Sequence, residues 1–158
     1  MEIVEAPKVV ALPERNYAGI RTVTPFKGMF LVRDRLMKEL HARFDQGDTF
    51  FRLHVIDMAG EMHVEVGIVT GAAVEPDGRV LPGVLPAGDY ATMTYVGHGR
   101  RANRTLLEWI RGNDLAMDCV EDPAGDRFGC RYELYRTDPR TERMKTRWQT
   151  QLAIRLDR

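Results

Sequence analysis

Two stretches of this chain carry the same signals in the same order, and that duplication limits the available folds before any single motif is weighed. Asn16-Tyr17-Ala18 opens a strand-like run to Thr24, followed by Pro25, Gly28 and a helical stretch. Asp89-Tyr90-Ala91 opens another run to Val96, followed by Gly97, Gly99 and a second helical stretch. In the first helix Met29, Val32, Leu36 and Leu40 recur every three or four residues and make one apolar face. Ala102, Leu106, Trp109 and Ile110 do the same in the second. Gly47 and Gly112 are suited to stop the two helices.

After the first helix, Thr49 to Asp57 and Met62 to Thr70 read as strands joined by Met58-Ala59-Gly60-Glu61, a hairpin with glycine in its turn. After the second, Arg127 to Arg136 and Arg147 to Leu156 read the same way across a longer, charged connection. Each half, about residues 8–72 and 85–156, is therefore strand, helix, strand, strand. Between them Val74 to Gly88 holds three prolines and three glycines, the composition of a connector. The expected fold is one α+β domain over residues 1–158, with duplicated units sharing a mainly antiparallel sheet. Both helices lie on one face, since each must bury its apolar stripe, and the other face is left open.

Strand alternation then sorts side chains between the faces. In the first hairpin Phe51, Leu53, Val55, Met62, Val64, Val66 and Ile68 are expected under the helices, with Phe50, Arg52, His54, Ile56, His63, Glu65 and Val69 on the open side. In the second half Phe128, Cys130, Tyr132 and Leu134 are expected under the helices, leaving Arg131, Glu133 and Tyr135 opposite.

Composition excludes several functions. The 23 basic and 23 acidic residues cancel, so no diffuse positive field draws nucleic acid or an anionic membrane surface, and neither partner is expected. No apolar run approaches the roughly 20 residues of a membrane span. Cys119 and Cys130 lack metal-ligand spacing and follow no secretory signal, so they are expected as free thiols of a soluble, cytoplasmic protein. Without a nucleophile elbow, Walker loop or dinucleotide fingerprint, no cofactor is expected. A two-residue turn at Ala59-Gly60 sets His54 opposite Glu65, with His63 on the same face. That trio has zinc-binding chemistry, but hairpins use such residues as cross-strand pairs, and no metal is expected. Arg100, Arg101 and Arg104, like the Glu142–Arg147 segment, read as solvated charge.

Four runs in their order carry a resemblance: Tyr17-Ala18-Gly19, Glu65-Val66-Gly67, Leu85-Pro86-Ala87-Gly88-Asp89-Tyr90-Ala91, and Tyr132-Glu133-Leu134-Tyr135 followed by Asp138-Pro139. Together they resemble the GyrI-like family, the AraC-type effector-binding domain of bacterial regulators, from about Lys8 to Leu156. The resemblance implies a pseudo-twofold pair of units with a ligand cleft between them. It also implies a cleft glutamate framed by aromatic rings, here Glu133, that receives lipophilic, cationic compounds. Tyr135, Tyr95 and Trp109 are the candidate rings, and Glu65 and His54 candidate second contacts. Binding without turnover is the leading expectation. Hydrolysis of small electrophilic toxins by the same glutamate, assisted by Tyr135 or Tyr95, is the alternative, and docking on a protein partner, as gyrase-inhibiting members do, is a third. The chain departs from the family in having Gly97-His98-Gly99 where Gly-Pro-Tyr is common, which bears on the pocket's shape. The regulators' DNA-binding segment finds no counterpart in these residues, so a stand-alone binding protein is expected, of undetermined oligomeric state.

Overall fold

The computed structural model describes residues 1–158. The first half runs β2 (Arg15–Pro25), α1 (Met29–His41), β3 (Thr49–Ile56) and β4 (Glu61–Thr70). The second repeats it as β6 (Gly88–Val96), α2 (Gly99–Gly112), β9 (Arg131–Tyr135) and β10 (Gln149–Arg155). Three further pieces flank this repeat: β1 (Glu2–Leu12), β5 (Leu81–Leu85) and the hairpin β7 (Cys119–Asp122)–β8 (Gly125–Phe128). The sheet order is β1-β6-β10-β9-β3-β4-β2-β5, with every pairing antiparallel. The two halves meet where β3 pairs with β9, in a register that sets Phe51 against Glu133 and Arg52 against Tyr132.

Both helices leave their preceding strand through a glycine in the left-handed region, Gly28 at φ 82° and Gly97 at φ 110°. A side chain is strained there, so glycine is what lets each strand turn sharply onto the sheet. Neither helix has a side-chain cap at its start or an acidic residue in its first turn. Their stability comes from packing. Met29, Leu36, Met37 and Leu40 of α1 are buried against Phe51, Val64, Val66 and Ile68, and Ala102, Leu106 and Ile110 of α2 against Met93, Leu152 and Ile154. Burial of each such Leu or Ile contributes about 1.5–3 kcal/mol.

The second face of the sheet is not open. Tyr17, Phe50, Leu85, Tyr90, Cys130, Tyr132, Leu134 and Ala153 form a third buried cluster there. This overturns half of the face assignment made from alternation. The first hairpin follows it except at Val55 and Ile56, but in the second half Cys130, Tyr132 and Leu134 turn away from the helices, and only Phe128 packs with α2. Arg131, Glu133 and Tyr135 point to the helix side instead. The physical reason is that both faces carry core, so an apolar row on one edge of a strand does not say which face it belongs to. A second departure lies at His54, where the β3–β4 register slips between Leu53 and Val55. This bulge moves Ile56, expected on the far side, into contact with both helix-side clusters. The proline- and glycine-rich connector also contains an unexpected strand, β5, which pairs only with β2 at the sheet edge. An edge accommodates Pro82 because proline has no N–H to donate inward.

Candidate functional site

Because β3 of the first half and β9 of the second meet at the junction, the space above them is bounded by α1 on one side and the start of α2 on the other. It is a cleft of about 720 Å3. Its lining is mainly apolar: Phe26, Met29 and Phe30 from the α1 end, Leu53, Ile56, Met58 and Met62 from the first hairpin, Tyr95, Leu107 and Trp148 from the second half. Phe26, Phe30 and Met58 remain over 40% exposed, leaving an apolar rim at the mouth. Gly97, His98, Gly99, Arg100 and Asn103 bring the first turn of α2 to the same wall. A Cβ at Gly99 would lie 2.8 Å from the Tyr95 hydroxyl, so the Gly-His-Gly sequence lets α2 begin directly over that ring.

Glu133 lies in this cleft and is 9% exposed. Its Oε2 accepts a 3.0 Å hydrogen bond from the Tyr135 hydroxyl, which in turn accepts one of 3.1 Å from Arg33 Nη1. Burial raises the Glu133 pKa above the ordinary carboxylate value, opposed by the charge of Arg33, the Tyr135 hydrogen bond, Arg131 and Asn103. Burial likewise pushes the Tyr135 and Tyr95 hydroxyls up, reinforced in both by the neighbouring Glu133. Both phenols are therefore neutral donors at pH 7.

Arg33 is the cation bonded directly to the Tyr135 hydroxyl. Its guanidinium carbon lies 4.9 Å from the Phe30 ring centre, 5.4 Å from Tyr135 and 5.5 Å from Trp148, and it pairs with Asp34 at 3.0 Å. Asp34 also pairs with Lys145 at the rim. Trp148 is held by an edge-to-face contact with Tyr135, ring centres 5.2 Å apart, and by donating its indole N–H to the Glu142 carbonyl. Neither Arg33 nor Trp148 stood among the residues expected from sequence. Arg33 had a signal: it falls one turn after Met29 and sits on the same face as Met37 and Leu40, a charge set in an apolar stripe. Trp148 had none beyond its residue type, because it follows an irregular connection.

Of the six side chains expected at the site, Glu133, Tyr135 and Tyr95 line the cleft. Trp109 does not; it packs against the α2 cluster, and Trp148 supplies the ring instead. Glu65 and His54 are absent from the cleft lining because Glu65 pairs across to Arg52, on the face opposite Phe51 and Glu133. There Glu65 Oε1 accepts hydrogen bonds from Tyr17 at 2.7 Å and from His54 Nε2 at 2.8 Å. Burial lowers the His54 pKa despite its carboxylate neighbour, so a neutral ring makes this contact. Arg52 binds the Tyr17 hydroxyl and the carbonyls of Val84 and Gly129, completing a structural network. No cluster of three or more His, Cys, Asp or Glu side chains is arranged for a metal.

The model of the GyrI-like small molecule binding domain matches residues 5–157, and the chain belongs to this family. A search of curated proteins finds no match. Among solved structures, it is similar to the EcmrR C-terminal domain, with 16% identity, a TM-score of 0.70, and coverage of 98% of this chain and 99% of that one. EcmrR in its complex with DNA gives a TM-score of 0.72 at 16% identity, and here the match covers 98% of this chain but only 58% of that one. SAV2435, solved bound to tetraphenylphosphonium, matches at 12% identity with a TM-score of 0.59, covering 99% of this chain and 94% of that one.

Proposed function

We propose that the protein is a receptor for lipophilic organic molecules, which it takes into the cleft between α1 and α2 and orients against Glu133. The observation that carries this reading is a buried carboxylate, hydrogen-bonded by the Tyr135 hydroxyl at 3.0 Å, on the wall of a largely apolar cleft of about 720 Å3. That volume lies within the range of small-molecule sites. A ligand group that donates a hydrogen bond or carries positive charge compensates the desolvated carboxylate in a way the protein does not, and the interaction strengthens as water leaves. The preference for cations expected from sequence is supported by that buried carboxylate. The neighbour bound to tetraphenylphosphonium adds to the case. No helix is long and apolar enough to cross a membrane, and the free thiols Cys119 and Cys130 fit the reducing cytoplasm, where we place the receptor.

Trp148 reports on the cleft directly, and a Trp109→Phe background leaves it the only indole. Titrating this protein with tetraphenylphosphonium and neutral aryl analogues is expected to give saturable changes in Trp148 emission, with every ligand recovered intact by mass spectrometry. Glu133→Gln is expected to weaken the cation about tenfold, or about 1.4 kcal/mol. Glu133-dependent consumption of an ester or epoxide in the same panel would favour the hydrolase reading. Silence of the folded protein toward all of them would refute the receptor.

A further inference from the structure

Glu133 is not the only incompletely paired charge in the cleft. Four cationic side chains line it, Arg33, Arg100, Arg131 and Lys145, against two carboxylates, Asp126 and Glu133. Two of the cations are already engaged, since Arg33 and Lys145 both pair with Asp34. Arg131 is different. Its guanidinium stacks on Phe128 at 4.9 Å and makes one side-chain hydrogen bond, 3.0 Å to Asn103 Oδ1. Asn103 is itself fixed by donating its amide to the Gly99 carbonyl. Guanidinium offers five donors in a planar fork whose geometry matches a carboxylate bidentately. Arg131 has no such partner within the protein. Glu133, two residues along the same strand face, is instead tied to Tyr135. The uncapped first turn of α2, with Arg100, adds positive potential to the same wall.

We propose that the cleft contains, beside the Glu133 end, an anion subsite centred on Arg131, so that its ligand is a lipophilic molecule bearing an acidic group. The inference rests on the receptor reading above and deepens it. Glu133 accepts the donor or cationic end of the ligand, Arg131 with Arg100 takes the acidic end, and the rings and methionines between them hold the body. A simple lipophilic cation satisfies only one of the two ends.

Tetraphenylborate and tetraphenylphosphonium have the same shape and opposite charge, which makes them the probes for this subsite. Both are titrated against the protein, Arg131→Gln, Arg131→Lys and Glu133→Gln, with far-UV circular dichroism confirming that each variant is folded. The wild type is expected to bind tetraphenylborate, Arg131→Gln to weaken it about tenfold, and Arg131→Lys, which keeps the charge, to retain most of the affinity. Tetraphenylphosphonium is expected to respond in the opposite sense, gaining in Arg131→Gln and losing in Glu133→Gln. Tetraphenylborate binding that is equal in the wild type and Arg131→Gln overturns the subsite. Phosphonium binding that depends on Glu133, with no borate binding, also overturns it and leaves the receptor reading standing. If neither ion nor any neutral probe binds the wild type, both readings fall together.

Discussion

Glu65 and Glu133 are both buried in the same sheet, close to the junction of its halves, yet they stand on opposite faces in opposite electrostatic conditions. Burial tends to raise both. At Glu65 the hydrogen bonds from His54 and Tyr17, with the charge of Arg52, overcome it and hold the carboxyl below its ordinary range. At Glu133 burial prevails even with Arg33 nearby. The difference is one of satisfaction: Glu65 sits in a packed network, and Glu133 faces a cleft. A carboxylate whose partners are all built in serves the fold, whereas one raised by burial on the wall of an apolar cleft is available to a ligand.

The largest expected effect falls on the satisfied residue. Glu65→Leu strands Tyr17, His54 and Arg52, and its loss is expected to cost about 3 kcal/mol in urea unfolding, the scale of breaking a buried pair. Equal stability of this variant and the wild type would remove the structural role from Glu65. The matched tyrosines give a smaller contrast. Tyr17→Phe deletes both the bond to Glu65 and the acceptor for Arg52 inside packed protein, with an expected cost of about 2 kcal/mol. Tyr135→Phe makes the analogous deletion on the wall of the cleft, and about half that loss is expected. If the two tyrosines cost the same, cleft and core are not distinguished by satisfaction.

The smallest effect has the opposite sign. A carboxyl whose folded pKa is raised destabilises the folded state once the unfolded chain ionises, so Glu133→Gln is expected to gain on the order of 1 kcal/mol at pH 7, about 2–4 °C in Tm. The gain is absent below about pH 4.5, the ordinary carboxylate value, and grows as pH rises through the raised folded pKa. Glu65 runs the other way: its contribution is present above the ordinary value and is lost as pH falls through its lowered folded pKa. Thermal scans of Glu133→Gln and wild type from pH 4 to pH 8 check the sign, and a variant less stable at pH 7 would contradict it.

This contrast also explains how far sequence reading reached. The repeat, both helices and the six strands of the two units were legible because their apolar periodicity is local. Glu133, Tyr135 and Tyr95 were reached through the family resemblance and through position on a strand. The face of β9 was not legible, since Tyr132 and Leu134 serve a second core that forms only when distant segments such as Leu12, Tyr17 and Leu85 come together. His54 and Glu65 were grouped with Glu133 for the same reason, before the Phe51–Glu133 register fixed which side each takes. β5 hid within a proline-rich connector, and the four-residue strands β7 and β8 are too short to show alternation. The charge of the site was misjudged from Glu133 alone, because Arg33 reaches it from a helix and Arg131, placed on the same face as Glu133, was given no role.

Hydrogen–deuterium exchange with and without the tighter-binding tetraphenyl ion tests the central claim most directly, since it compares the two faces in one experiment. The account predicts added protection at residues 26–33, 97–107 and 145–150, which surround the cleft, and no change around Tyr17, His54 and Glu65. Protection centred on the Glu65 face, with the α1–α2 walls unaffected, would contradict it.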